Sequence, residues 1–320
     1  MSQPHPRLVR PAQLVALLLA FLSVSALMGI LGAGMLVPAA GSAAIVAKSV
    51  PTIFDDLPSE IQVVRPAEQS KMLDAYGGVI ASFYDKQRIV VPSANIADTM
   101  KQAIVAIEDK RFYDHHGVDA TGIARALVSN LSDSGTQGAS TITQQYVRNA
   151  LQEKGYLEGD TDQVTSATEQ TPARKLREMK YALAIEQKMD KDSILAGYLN
   201  IAPFGPITYG VEAASQRYFS KSASELNYLE SALLAGLVQS PVAYDPLTYP
   251  EAAQERRNTV LFVMLNEGVI TQEEYDQGIA TPIADMLYPT TSAEGCSGVS
   301  TSAGYFCDYV LSQFLADETE

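Results

Sequence analysis

From Leu14 to Val37 the chain runs for 24 residues without a charged side chain, and that run constrains where everything after it must fold. A helix rises 1.5 Å per residue and needs about 20 apolar residues to cross a ~30 Å hydrocarbon core. The run is therefore read as a transmembrane anchor over 14–37. Arg7, Arg10 and His5 precede it and the next charge is Lys48. By the positive-inside rule this asymmetry keeps residues 1–13 in the cytoplasm and puts the rest outside the cell membrane. A cleaved signal peptide is the alternative, with the small residues from Ala39 to Ala44 as its cleavage region, although such peptides usually have an apolar core of only about 7–15 residues.

The chain has enough apolar material for a folded domain beyond this run, since 47% of the 320 residues are hydrophobic. The net charge of −14 argues against a nucleic-acid partner, which needs a basic face for the phosphate backbone. The charge is also unevenly spread. Residues 152–170 carry five acids and one base, and 291–320 five acids and no base, whereas 172–191 carry six bases and three acids. The last of these is a cationic island in an acidic protein. Cys296 and Cys307, with ten residues between them, suit a local disulfide outside the cell, or else two unpaired buried thiols.

A spacer rich in small residues and prolines occupies 38–67. Apolar runs at 71–73 and 79–84, separated by Tyr76-Gly77-Gly78, predict a β-hairpin or small sheet, with Ile89-Val90-Val91-Pro92 next. From Asp98, a plausible N-cap, the period turns helical through Met100, Ile104 and Ile107, which places Glu108 at or near a helix C-terminus. Further helices are expected at 121–131, 140–151, 172–189, 191–199, 210–218, 224–238, 250–267 and 272–279. The helix from 172 has Thr171 as N-cap and Pro172 at its first position. Residues 152–170 read as a mobile surface loop and a candidate lid, and 295–304 as weakly structured. The expected organisation is a mainly α domain at 68–290 with a small hairpin at its start, then a linker at 291–320 into a further domain.

Two segments carry most of the chemistry. In Glu108-Asp109-Lys110-Arg111-Phe112-Tyr113-Asp114-His115-His116-Gly117-Val118-Asp119, a carboxylate stands beside cations. The helix end disfavours its charged form and Lys110 and Arg111 favour it. A candidate general base and a solvated helix-end charge are both open. Three histidines without HxxxH or CxxC spacing make a zinc site improbable; a turn histidine bonded near Glu108 or Asp119 fits better. In Gly138-Ala139-Ser140-Thr141-Ile142-Thr143-Gln144-Gln145, Gly138 permits a turn and Ser140 a cap. Thr141, Gln144, Gln145 and Arg148 then form one polar face at helical spacing. That face suits a pyrophosphate, or is simply the wet side of an amphipathic helix. Arg174, Lys175 and Glu178 likewise share a face, as an intrahelical ion pair or as a carboxylate held beside phosphate-binding cations.

Taken in order with Arg174-Lys175-Leu176-Arg177-Glu178, Lys191-Asp192-Ser193-Ile194-Leu195-Ala196-Gly197-Tyr198-Leu199-Asn200, Tyr209-Gly210-Val211-Glu212-Ala213-Ala214, Arg217-Tyr218-Phe219 and Ser240-Pro241 to Asp245-Pro246, these segments resemble the successive motifs of the peptidoglycan glycosyltransferase family over residues 68–280. The arrangement of anchor, transferase and linker resembles class A penicillin-binding proteins, whose transpeptidase domain would follow; no SxxK or KTG triplet occurs here.

The resemblance implies a lysozyme-like fold behind the anchor and polymerisation of lipid II into glycan strands, with undecaprenyl pyrophosphate released. It implies Glu108 as the general base, with Glu178 as the second essential carboxylate. Substrate contacts are implied at Asp109, Phe112, His116, Gly138, Ser140, Thr141, Gln144, Gln145, Arg148, Arg174 and Lys175. It further implies Mg²⁺ or Mn²⁺ on the donor pyrophosphate, and the growing strand, the bacterial membrane and other cell-wall synthesis proteins as partners. Ala139 stands where the family usually has glycine and Arg148 where lysine is common. A muramidase and an inactive membrane-anchored scaffold are the rival readings; the first has no use for a pyrophosphate clamp, and intact Glu108 and Glu178 oppose the second.

Overall fold

The computed structural model describes residues 63–123, 125, 140–290, 294–299 and 301–317. The tail and anchor, most of the spacer, Gly138 and most of the helix expected at 121–131 lie outside the described residues. Among the described residues no helix is long and apolar enough to cross a membrane.

The described domain is mainly helical. Strands β1 (Ser70–Leu73) and β2 (Val79–Phe83) form the expected antiparallel hairpin, with Ser70 opposite Phe83. Its turn is held by Asp74, whose Oδ1 accepts from the Tyr76 N–H at 2.8 Å and the Gly78 N–H at 2.7 Å. A second, two-residue pairing is parallel, β3 (Gln87–Arg88) against β4 (Thr208–Tyr209).

Helix α1 (Asp98–Glu108) buries Met100, Ala103, Ile104 and Ala106. Its N-cap is Ala97, not Asp98, which opens the helix instead and puts a negative charge where the backbone dipole favours one. The core helix is α7 (Tyr228–Leu237), all of whose residues from Glu230 onward are buried. It packs against both α1 and α8 (Pro250–Asn266). Small residues allow that approach: a Cβ on Gly236 would stand 3.0 Å from the Arg256 side chain.

Between them in sequence lie α2 (Ile142–Glu158), α3 (Thr161–Thr168), α4 (Pro172–Glu186), α5 (Lys191–Ile201) and α6 (Val211–Phe219), and α9 (Gln272–Ala280) comes after α8. The Thr171 cap and Pro172 start of α4 are as expected, with the Thr171 side chain accepting from the Arg174 N–H.

Residues 152–170 are not a loop. Helix α2 continues to Glu158, Gly159 closes it at φ 67, and the Asp160 side chain caps α3 by accepting from the Gln163 N–H. The two helices meet through Gly155, where a Cβ would lie 2.8 Å from Val164. Contact through a glycine and an alanine, Ala167, which is buried, leaves no run of large apolar residues for the sequence to display.

Nor is 295–304 unstructured where it is described. Cys296 and Cys307 are disulfide-bonded with Cα atoms 5.4 Å apart. The Gly295 N–H donates to the Ser82 carbonyl at 2.8 Å, and both cysteines pack with Ala81 of the hairpin. A short 3₁₀ turn (Cys296–Gly298) and helix α10 (Thr301–Asp317) are thereby fastened to β2.

Candidate active site

Glu108 is the last residue of α1, half-buried, and lines a cleft of about 380 Å³ together with Lys110, Arg111, Ser140 and Thr141. Gln145 on α2 donates its side-chain N–H to Glu108 Oε2 at 2.7 Å. The Tyr198 hydroxyl on α5 donates in turn to Gln145 Oε1 at 3.1 Å. Burial pushes this phenol well above its ordinary pKa, the Glu108 charge adds to the shift, and Arg148 opposes it.

Asp109, which also lines the cleft, ties it to α2. It is buried, accepts the Ile142 N–H at 3.0 Å and lies 2.9 Å from His115 Nε2, so it fastens the end of α1 to the start of α2. The cap of α2 is Thr141 rather than Ser140. Its hydroxyl accepts from the Gln144 N–H at 3.2 Å and donates to the Gly117 carbonyl at 2.7 Å. Gly117 has φ +84 and no room for a side chain, since a Cβ would stand 2.7 Å from the Ala182 backbone. The loop after Glu108 is thus pressed between α2 and α4, an approach only glycine permits.

Ser140, released from capping, accepts from Lys175 Nζ at 2.6 Å. The same ammonium donates to Gln144 Oε1 at 2.6 Å and to Glu178 Oε2 at 3.4 Å, while Arg174 pairs with Glu178 Oε1 and donates to the Glu169 carbonyl. Both oxygens of Glu178, which is 1% exposed, are therefore engaged by cations. Burial lowers the pKa of Lys175, the charges of Arg148 and Arg174 lower it further, and Glu178 counters them. Three cations, Arg148, Arg174 and Lys175, thus act on one neighbourhood at the start of α2 and α4.

The polar face of α2 is not its wet side. Thr141, Gln144 and Gln145 are buried, and each is spent on the contacts just described. The intrahelical pairing of Arg174 and Lys175 with Glu178 is present, and it also joins the Ser140–Gln144 side of the cleft. Two expected contact residues stand elsewhere. Phe112 is fully buried, packed edge-on to Tyr113 and His115 with the Lys191 ammonium 4.4 Å above its ring. It supports the loop from beneath and offers a ligand no surface. His116 is exposed, and its neighbour His115 is the histidine that meets Asp109. The spacing Asp109, Phe112, His115 is a period of three that distinguishes the two histidines. Tyr198, bonded to Gln145, is absent from the expected contacts; nothing local announces it, because its partner is 53 residues away.

Among the described residues no group of three or more His, Cys, Asp or Glu side chains is gathered where a metal ion could be held. With Glu178 engaged by Arg174 and Lys175, the clamp is suited to anions, and its residues do not fit a divalent cation as direct ligands.

Comparison with known proteins identifies the family. The family model described as Transglycosylase matches residues 76–265. Penicillin-binding protein 1A of Streptococcus pneumoniae is 38% identical over 224 residues, 70% of this chain and 30% of the relative. Penicillin-binding protein 1A of Escherichia coli is 42% identical over 215 residues, 67% of this chain and 24% of the relative. The chain thus matches less than a third of the length of either. A crystal structure of penicillin-binding protein 1A from Haemophilus influenzae aligns over 72% of this chain and 22% of its own, at 23% identity and a TM-score of 0.39.

Proposed function

This chain belongs to the transglycosylase family, and on that premise we propose that it polymerises lipid II into glycan strands at the outer face of the bacterial membrane, held there by the anchor at 14–37. The reaction is an inverting β-1,4 glycosyl transfer. Glu108 removes the proton from the acceptor 4-hydroxyl, that oxygen forms the new bond to C1 of the donor sugar, and the C1–O bond to the pyrophosphate breaks. The departing undecaprenyl pyrophosphate takes the electron pair. Arg148, Arg174 and Lys175 stabilise the charge that develops on it, the kind of preorganised electrostatics that dominates many enzymic accelerations.

The observation that carries this reading is the coexistence of a carboxylate held by Gln145 and a lysine held by Ser140 and Gln144, all three at the start of α2. A base and an anion clamp are what glycosyl transfer from a pyrophosphate requires, and a lysozyme-like hydrolase would have no use for the clamp. Glu178 serves through the cations it orients. A Mg²⁺ or Mn²⁺ ion would take its ligands from the pyrophosphate.

The test is polymerisation of labelled lipid II by the full chain. Glu108→Gln is expected to slow strand formation by about 10²–10⁴-fold, the usual contribution of a general base. Equal rates for both proteins would overturn the reading, and release of muropeptides from finished wall would identify a muramidase instead.

A further inference from the structure

Glu108 presents two chemically distinct oxygens. Oε2 accepts the Gln145 side-chain N–H at 2.7 Å, whereas Oε1 has no hydrogen-bond partner among the described residues and belongs to a side chain that lines the cleft. For this to hold, Gln145 must keep its amide the right way round. A side-chain amide rotated by half a turn would bring its own oxygen against the carboxylate, replacing a hydrogen bond by a repulsion.

Gln145 is buried, and because the Glu108 carboxylate only accepts, it takes the N–H side of the amide. The hydroxyl on the far side anchors the amide in that position. Tyr198 is fully buried on α5 and donates its O–H to Gln145 Oε1 at 3.1 Å. With the N–H turned to Glu108, the phenol meets the amide oxygen as a donor and holds the amide at its other end.

We propose that Tyr198 is a positioning residue for the transfer reaction: its hydroxyl locks the Gln145 amide, which pins Glu108 Oε2 and leaves Oε1 as the oxygen that takes the acceptor proton. This inference rests on the reading of Glu108 as the general base. The lock works from inside the core, two side chains removed from substrate, so no binding interaction depends on it. Loss of the hydroxyl acts on the orientation and proton affinity of the base, leaving the donor and acceptor contacts in place.

The experiment is the pH profile of polymerisation by the full chain carrying Tyr198→Phe, which keeps the buried ring and removes the hydroxyl. The expected result is a kcat about tenfold lower with KM for lipid II unchanged. The acidic limb of the kcat/KM profile is expected to move to higher pH, because a carboxylate that loses a fixed N–H donor ionises less readily. Asp109, Lys110, Arg111, Asp119, Arg125 and Glu267 face the same cleft, and Arg148 acts on Tyr198 from α2; all seven are unaltered in the variant, so the displaced limb reports the relay. Gln145→Met removes the donor itself, together with the acceptor of the Tyr198 hydroxyl, and is expected to move the limb the same way. The double variant should lose no more than Gln145→Met alone, since both act through one link.

A limb that stays in place in Gln145→Met, or losses that multiply in the double variant, would overturn the relay. Failure of the underlying reading looks different: Glu108→Gln would itself remain active. An inactive Glu108→Gln beside an unmoved limb sinks the relay alone.

Discussion

Two buried glutamates in this protein are each held by one arginine and one lysine, and they do different work. Glu178 is paired with Arg174 and Lys175, four and three residues before it on the same helix. Glu153 is paired with Lys86 at 2.7 Å and with Arg88 at 2.6 Å, which arrive from the start of the domain, and it also accepts the Ala67 N–H at 3.2 Å. The first cluster forms wherever α4 forms, and it costs the fold little to make. The second exists only when β3 has docked on α2, so it is a test of the tertiary structure.

Exposure separates them further. The Lys175 side chain is 30% exposed and that of Arg88 is 0% exposed. A cation fixed by local partners yet open on one side can be shared with a ligand; one enclosed on all sides can only stabilise. Burial opposes the ionisation of Glu153, but hydrogen bonds and charge from Arg88 and Lys86 outweigh it and hold its pKa below the ordinary value. That carboxylate therefore contributes stability above the unfolded-state value of about 4.3, lost as pH falls through its lower folded-state value.

The comparison predicts a crossed pair of outcomes. Arg88→Met should destabilise the protein by about 3–5 kcal/mol, the range for removing one member of a buried ion pair, toward the lower end because Lys86 remains. Denaturant melts measure that loss, and the rate of polymerisation per folded molecule should be unchanged. Lys175→Met should do the reverse. Polymerisation is expected to fall about a hundredfold, as when one preorganised donor to developing charge is removed, while the melt moves by less than about 1 kcal/mol, because Arg174 stays on Glu178 and the Lys175 side chain is itself partly exposed. If Arg88→Met lost activity at full stability, or Lys175→Met unfolded the domain, the division between the clusters would collapse.

This division also separates the contacts that are legible in the chain from those that are not. The Glu178 cluster is visible in Arg174-Lys175-Leu176-Arg177-Glu178 because helical periodicity alone brings its members together, and Thr171-Pro172 announces the helix that carries them. The same logic locates α5 and α8 to within a few residues. Contacts that cross the fold leave no such trace. Glu153 lies in a stretch whose sequence reads as a loop, since α2 and α3 meet through Gly155 and Ala167 with no apolar stripe. Ser140 looks as good a cap as Thr141, and only the position of Lys175, a tertiary fact, decides that the first hydroxyl is needed elsewhere. Nor does the sequence reading say which of His115 and His116 meets Asp109. The anchor at 14–37 lies outside the described residues, and its reading rests on the sequence.

Lys175 gives the finest probe of the comparison, because its charge is set by the site as a whole. Burial, seconded by Arg148 and Arg174, lowers its pKa, and only the Glu178 charge and hydrogen bond restrain the shift. The ammonium is therefore present below that lowered value and is lost as pH rises through it, before an ordinary lysine near 10.4 would deprotonate. If the clamp needs this charge, the rate of polymerisation should decline on the alkaline side earlier than a solvent-exposed lysine would allow. Lys175→Arg replaces the ammonium with a guanidinium that stays charged beyond about pH 12. The variant's absolute rate will drop, since a planar fork cannot reproduce the three contacts to Ser140, Gln144 and Glu178, but its alkaline limb should move to higher pH. A limb that does not move would mean that the decline belongs to another group, and that Lys175, like Arg88, is there to hold the fold.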